Sequence, residues 1–208
     1  MKLLPLYAVI AFTTAISSAP AFAEDDNDVL FKFDGGIGSQ PLRAGNIIVP
    51  PSTTPVPVPV PNTVAGVNPG GAPWPVESLK AVIKADGTIQ AKVKGVLLGG
   101  TDNIGTRGGP RKMVASLFCR NAPAPGAVAG ILQTVPYNSE FVDLDPNGDF
   151  QLNSILINAA GLTPTASCGD KIDNRPVLLI RTVTPANLTT GAPAAPGAWF
   201  AAGIPKSN

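Results

Sequence analysis

Residues Leu79 to Lys94, LKAVIKADGTIQAKVK, contain the pattern that decides the fold. Apolar residues occupy every second position in both halves of this stretch: Leu79, Ala81 and Ile83, then Ile89, Ala91 and Val93. An alternation with a period of two is typical of a half-buried strand. The two halves are joined by Ala85-Asp86-Gly87, which has the composition of a turn. The stretch therefore predicts a β-hairpin.

Four lysines lie on the polar face of this hairpin: Lys80, Lys84, Lys92 and Lys94. Such a face could contact an anionic polymer. Lysine on outer strands also keeps a sheet soluble and blocks pairing at its edge, and we favour this simpler interpretation.

Short apolar runs bounded by turn residues continue on both sides of the hairpin. We predict further strands at 29–33, 111–119, 140–144, 149–157, 176–183 and 198–204. No stretch has an apolar period of 3.6 over the length of a helix, and the chain contains 22 Gly and 23 Pro. These features predict an all-β fold: a single antiparallel β-sandwich or open barrel at residues 63–205. We expect strand 29–33, in an N-terminal segment at 24–49, to join the same sheet.

A proline-rich segment at 50–62 separates the first strand from the rest. Residues Pro50 to Pro61 read PPSTTPVPVPVP, with proline at alternate positions from Pro55. Proline fixes φ and donates no hydrogen bond, so we predict polyproline II and not a strand. The segment would serve as a stiff spacer or as a loop across the surface. The alternative is a ligand for an aromatic groove.

The first 23 residues have the pattern of an export signal. Lys2 precedes the apolar run Leu3 to Phe12, and Ala21-Phe22-Ala23 is a typical cleavage site. The run is too short for a spanning helix, which needs roughly 20 apolar residues. We therefore expect a periplasmic or secreted protein without transmembrane anchoring.

The two cysteines, Cys119 and Cys168, are expected to form a disulfide between two strands in an oxidising compartment. Redox and metal roles are the less favoured alternatives. Lys plus Arg number 15 and Asp plus Glu number 14, and one lysine lies in the predicted signal. The remainder is formally neutral, so we expect no nucleic-acid partner.

Histidine is absent from the chain. Its absence excludes Ser-His-Asp and Cys-His hydrolases and histidine-ligated zinc or copper sites. The sequence also has no Ser-x-x-Lys motif. We therefore expect a protein without enzymatic activity, with carboxylate-based glycan cleavage as an alternative.

A candidate calcium loop lies at Asp143 to Asp149, with oxygen ligands at alternate positions followed by glycine. The candidate ligands are Asp143, Asp145, Asn147 and Asp149. The twelfth position is Ser154, where such a loop needs a bidentate Glu. Pro-Asn-Gly is also good turn chemistry, so a plain hairpin turn is the favoured interpretation and a calcium cofactor the alternative.

Trp74 and Trp199 are candidate ligand-binding residues, because a flat exposed ring can stack on a sugar. Both lie in apolar segments near predicted strand ends, where a tryptophan usually closes one end of the core. We favour the core interpretation.

Several segments carry a resemblance to a known group: Phe31 to Gly38, Asn68 to Trp74, Asp86 to Val96, Ser116 to Cys119, Asp145 to Phe150, Pro176 to Arg181 and Trp199 to Ile204. In these the chain resembles a family of uncharacterised exported bacterial proteins with a β-sandwich-like layout. The resemblance implies the domain organisation and implies no activity, since none is known for the group.

Together these features predict an exported, non-enzymatic binding or structural module of the cell envelope or extracellular space. Its partner would be an envelope protein or polysaccharide. One alternative is a calcium-dependent carbohydrate-binding or adhesion module, and the other is the carboxylate-based glycan-cleaving enzyme.

Overall fold

A computed structural model describes residues 28–120, 132–169 and 174–206. The predicted export signal at 1–23 lies outside the described residues. Among those described, the strands are β1 (Val29–Gly38), β2 (Leu42–Ile48), β3 (Pro55–Pro61), β4 (Ser78–Lys84), β5 (Thr88–Lys94), β6 (Lys112–Phe118), β7 (Tyr137–Asn138), β8 (Val142–Asp143), β9 (Phe150–Ile155), β10 (Val177–Thr184) and β11 (Ala195–Lys206). The all-β prediction is confirmed. No helix in the described ranges is long and apolar enough to cross a membrane.

Nine strands form one antiparallel sheet in the order β7-β6-β10-β11-β1-β4-β5-β9, with β8 also paired to β6. The sheet curls until its two ends approach each other. There Asn138 and Ile157 exchange two backbone hydrogen bonds of 2.8 and 3.0 Å. We call this junction the seam. Of the two predicted architectures, the structure is the open barrel.

The predicted hairpin is present as β4 and β5, joined by a turn in which Gly87 donates its N–H to the Lys84 carbonyl. The N–H of Thr88 donates to the Asp86 carboxylate at 2.8 Å. This hydrogen bond lowers the pKa of Asp86 below its usual value, because it stabilises the charged form. The six alternate apolar residues of the hairpin all lie in the barrel core. The local pattern therefore sets which face of the hairpin is buried.

The core is continued by inward-facing side chains from the other long strands: Phe31 and Phe33 of β1, Met113, Ala115 and Leu117 of β6, Phe150 and Leu152 of β9, and Leu178 and Ile180 of β10. Strand β1 begins as predicted but continues past Phe33 to Gly38 through a register shift. It pairs with β4 on one side and β11 on the other. The expectation that the N-terminal strand joins the main sheet is confirmed.

A second, smaller cluster lies on the opposite face of β6, β10 and β11. Phe118, Leu179 and Trp199 form it, and the segment after β3 covers them with Val64 and Val67. Strands β6 and β10 are therefore buried on both faces. The covering segment is held to β11 by backbone bonds from Gly70 to Trp199 (3.0 Å) and from Trp199 to Asn68 (3.0 Å).

The disulfide between Cys119 and Cys168 is present, as predicted. Cys119 directly follows β6, but Cys168 lies in a short 3₁₀ helix, Ala166–Cys168. The expectation that the bond joins two strands was therefore wrong. The N–H of Arg120 donates to the Cys168 carbonyl at 2.7 Å, so a backbone bond fixes the same contact. A structural disulfide indicates an oxidising, non-cytoplasmic location.

The prediction of polyproline II for the proline-rich segment was wrong. Residues Pro55–Pro61 form β3, which pairs in antiparallel register with β2 along all seven of its residues. Alternate residues of a strand direct their N–H groups to opposite edges. Because proline occupies every second position, all the missing backbone N–H groups fall on one edge. The N–H groups of the valines on the other edge can still donate to β2. We call this two-stranded sheet the ribbon.

Gly38 is a position where the packing requires glycine. A Cβ there would lie 2.1 Å from the Trp74 carbonyl oxygen and 2.8 Å from Cα of Pro75. We expect Gly38→Ala to lower the free energy of unfolding by about 2–4 kcal/mol, because backbone must move to admit the methyl group. Gly71→Ala is the matched control, since a Cβ at Gly71 meets nothing within 4 Å. Urea denaturation of both variants measures the difference, and equal stabilities would contradict the account.

The disulfide closes a loop with a sequence separation of 49. In the chain-entropy model, removing such a cross-link costs about 4 kcal/mol. We expect the double variant Cys119→Ala, Cys168→Ala to lose stability on this scale in thermal or urea denaturation. A loss below about 1 kcal/mol would mean that backbone pairing alone fixes this end of the barrel.

Candidate functional site

A groove of about 560 Å³ lies where β5, β9 and the turn between β8 and β9 meet. We call it the seam groove. Charged side chains of both signs line it: Lys92, Lys94, Asp143, Asp145 and Asp149. Its volume is in the range of small-ligand sites, although such sites are usually more apolar and more enclosed. It is therefore a candidate small-molecule site in the described part of the chain.

The turn that forms one wall is organised by a single carboxylate. Asp145 Oδ1 accepts the N–H groups of Asn147 (2.8 Å) and Asp149 (2.9 Å). The Gly148 N–H donates to the Asp145 carbonyl, and Gly148 has a φ of +78°. This is an Asx-type turn, in which a carboxylate takes up backbone donors and glycine supplies the left-handed conformation.

Asp149 connects this turn to the end of β5. Its Oδ1 accepts the Gly95 N–H at 2.9 Å, and the Val96 N–H donates to the Gly148 carbonyl at the same distance. A Cβ at Gly148 would lie 2.6 Å from the Val96 carbonyl oxygen, so the two segments are in close contact. The Asp149 carboxylate thus has a structural task where the turn meets the end of β5.

The four candidate calcium ligands do not form a common ligand shell. Asp143, 80% exposed, forms an ion pair with Lys112 at 2.8 Å. Asn147 does not line the groove with the three aspartates. Across residues 28–120, 132–169 and 174–206, no three acidic or cysteine side chains are placed to hold a metal ion. Asp145 and Asp149 accept backbone N–H groups, and two lysines share the groove, which favours the turn interpretation over a calcium site.

The hairpin lysines do not form one continuous basic patch. Lys80 lies 3.8 Å from Asp34 of the neighbouring strand, whereas Lys92 and Lys94 line the seam groove beside aspartates. Acidic side chains therefore accompany the lysines on both sides. This arrangement favours a solvated face over a site for an anionic polymer.

Trp74 and Trp199 are both buried, with 5% and 3% of their surfaces exposed. Trp74 stacks on Phe200 with ring centroids 4.0 Å apart and an angle of 9°. Trp199 donates its indole N–H to the Asn62 carbonyl at 3.0 Å. Neither ring presents an open face for stacking on a sugar, and their contacts favour the core interpretation.

The lysines and the aspartates of the seam groove are far apart in the sequence and come together only in the fold. Their proximity follows from the pairing of β5 with β9, in which Lys92 lies opposite Gln151 and Val93 opposite Phe150. These partners are separated by more than fifty residues along the chain. No local pattern signals such a contact, so the seam groove could not be found from the sequence.

Asp145 tests whether this loop is a turn or a metal site. We expect Asp145→Ala to lower stability by about 1–2 kcal/mol, because two backbone N–H groups lose their acceptor. Asp143→Ala, which removes only an exposed ion pair, should change stability by less than about 1 kcal/mol. We expect millimolar calcium to leave the Tm of the wild-type protein unchanged. A rise in Tm with calcium that Asp145→Ala abolishes would establish a site and contradict this interpretation.

Comparisons with protein-family models, with curated proteins and with solved structures found no match. No matching family therefore supports the resemblance to exported bacterial proteins.

Proposed function

We propose that this protein is a non-enzymatic binding or structural module of the cell envelope or extracellular space, where it acts through its surface. The observation that carries the proposal is the ribbon formed by β2 and β3. It is a two-stranded sheet separate from the main sheet, and it displays apolar side chains to solvent.

The interior of the barrel supports a role for the outer surface. Large buried side chains fill it, including Leu79, Ile83, Met113, Leu117 and Ile180, each with 0% exposed surface. A small barrel filled in this way has a packed core and no space for a ligand. Binding is therefore left to the outside of the molecule.

The ribbon is apolar on both of its faces. Leu42 and Ile48 are 55% and 63% exposed, and Ile47 and Val56 are 45% and 44% exposed. By strand alternation, the first two side chains lie on one face and the other two on the opposite face. A two-stranded ribbon has marginal stability on its own in water, and exposed apolar patches usually mark contact surfaces. The ribbon therefore has the properties of a segment that is completed by a partner.

The base of the ribbon is fixed to the barrel. The Asn62 carbonyl directly after β3 accepts the Trp199 indole N–H, and the covering segment that follows pairs with β11. The strands themselves pair only with each other among the described residues. The ribbon is thus attached to the barrel at its base, and its apolar side chains are available to a partner.

Both alternative functions would use the seam groove. A calcium-dependent module would need free carboxylate oxygens there, and a glycan-cleaving enzyme would need a general acid and a nucleophile or base. One oxygen of Asp145 and one of Asp149, Oδ1 in each case, accept N–H groups from the backbone of the turn and of β5. No three acidic or cysteine side chains in the described ranges are placed to hold a metal ion. The ribbon is the better supported site of action.

A sedimentation assay with the isolated envelope of the source organism tests the proposal. We expect the wild-type protein to bind, and we expect Leu42→Ser combined with Ile47→Ser and Ile48→Ser to weaken binding at least tenfold. The matched control is Leu188→Ser, since Leu188 is an apolar residue 97% exposed outside the ribbon. Equal binding by the ribbon variant, or no binding by the wild-type protein, would contradict the proposal.

A further inference from the structure

The two edges of the ribbon differ in their hydrogen-bonding groups. The N–H of Asn62 donates to the Pro41 carbonyl at 3.1 Å, in the register that pairs β2 with β3. Because N–H groups alternate along a strand, Val56, Val58 and Val60 direct theirs towards β2 as well. The backbone nitrogens of the four prolines of β3 therefore point to the outer edge. That edge offers carbonyl groups and no N–H donor.

The outer edge of β2 has both donors and acceptors. Arg43, Gly45 and Ile47 lie opposite the three valines and face β3. The alternate residues Leu42, Ala44, Asn46 and Ile48 therefore direct their N–H and C=O groups away from the ribbon. The exposed Arg43 side chain reaches the Ala44 carbonyl at 3.2 Å, a surface contact that water or a partner can replace. This edge is a template for one more strand.

We propose that β2 pairs in antiparallel fashion with β2 of a second copy of this chain, giving a four-stranded sheet of order β3-β2-β2-β3. The inference rests on the proposed function, in which the ribbon is the contact surface, and it assigns the open edge of β2 to a second copy. A two-fold axis presents the same donors and acceptors from both sides, so the open edge is complementary to itself. Both outer edges of the new sheet would be proline strands, which accept no further strand. The assembly closes as a dimer.

The sequence of β2 favours one register, with the two-fold axis at Gly45. Leu42 then lies opposite Ile48 of the second copy, and Ala44 opposite Asn46. Gly45 is the central residue of β2, so this register pairs all seven of its residues, and Gly45 lies opposite its own copy in a non-hydrogen-bonded pair, where Cα atoms approach to about 4.5 Å. Glycine is required by the ribbon itself, since a Cβ at Gly45 would lie 2.6 Å from a methyl carbon of Val60.

Charge does not oppose this pairing. Arg43 is the only charged residue between positions 42 and 61. In the proposed register each Arg43 lies opposite Ile47 of the other copy. The two arginines are then about 13 Å apart along the strands, at a rise of about 3.3 Å per residue. Repulsion between them is therefore weak and screened by salt.

Sedimentation equilibrium of the full chain, comparing Asn46→Pro with Asn46→Ala, tests the dimer. The Asn46 N–H faces the open edge, so proline there removes a donor needed only between copies. We expect Asn46→Pro to raise the dimer dissociation constant more than tenfold and Asn46→Ala, which keeps the N–H, to leave it within threefold. The Tm of each variant reports whether the barrel is intact.

Amide exchange in the wild-type protein is a second readout that needs no substitution. We expect the amides of Ala44, Asn46 and Ile48 to become protected as protein concentration rises, and those of the barrel to stay constant. A wild-type protein that stays monomeric into the millimolar range, or a dimer that Asn46→Pro does not weaken, overturns the inference. Envelope binding by a monomeric protein would overturn only this dimer. A wild-type protein that forms the dimer but does not bind the envelope would overturn the proposed envelope role and leave the dimer standing.

Discussion

The position of β1 between β4 and β11 is the constraint on which the rest of the structure depends. Without β1, the sheet order would divide into β7-β6-β10-β11 and β4-β5-β9. Pairing on both sides joins them into one sheet, with Lys32 opposite Val82 on one side and Lys206 on the other. Phe31 and Phe33 point into the same interior that the β4–β5 hairpin fills. Burial of these apolar side chains stabilises the curled sheet, and the disulfide fixes the end of β6.

This arrangement also explains why the contact surfaces lie outside the barrel. Side chains fill the interior, and the segment that follows the ribbon covers the outer face of β6 and β10 through Val64 and Val67. The Trp199 indole then holds the base of the ribbon at Asn62. Two candidate surfaces in the described residues lie outside the core: the seam groove, whose carboxylates organise a turn, and the ribbon, which has one open edge. Of the two surfaces, the ribbon is the one that lacks protection from water in a single copy.

The sequence predicted the parts of this fold that depend on local pattern. Apolar residues at every second position from Leu79 to Val93 were sufficient to predict the hairpin. The presence of only two cysteines was sufficient to predict the disulfide. The sequence left open the choice between sandwich and barrel, because that choice depends on β1 pairing with strands far along the chain. It did not predict β3, because alternating proline and valine suit polyproline II as well as a strand whose missing N–H donors all fall on one edge, and only the pairing with β2 decides between them. The seam groove required the β5–β9 pairing and had no local signal.

The most direct test of the account is the distance between two ribbon tips in solution. A spin label on Ser52→Cys, in the loop between β2 and β3, would report it by pulsed electron paramagnetic resonance. Each tip lies roughly six residues beyond Gly45, so the antiparallel dimer predicts a single distance of about 40 Å at a strand rise of about 3.3 Å. The absence of any dipolar distance at concentrations where the protein binds its envelope, or a distance below about 20 Å, would contradict pairing through the open edge of β2.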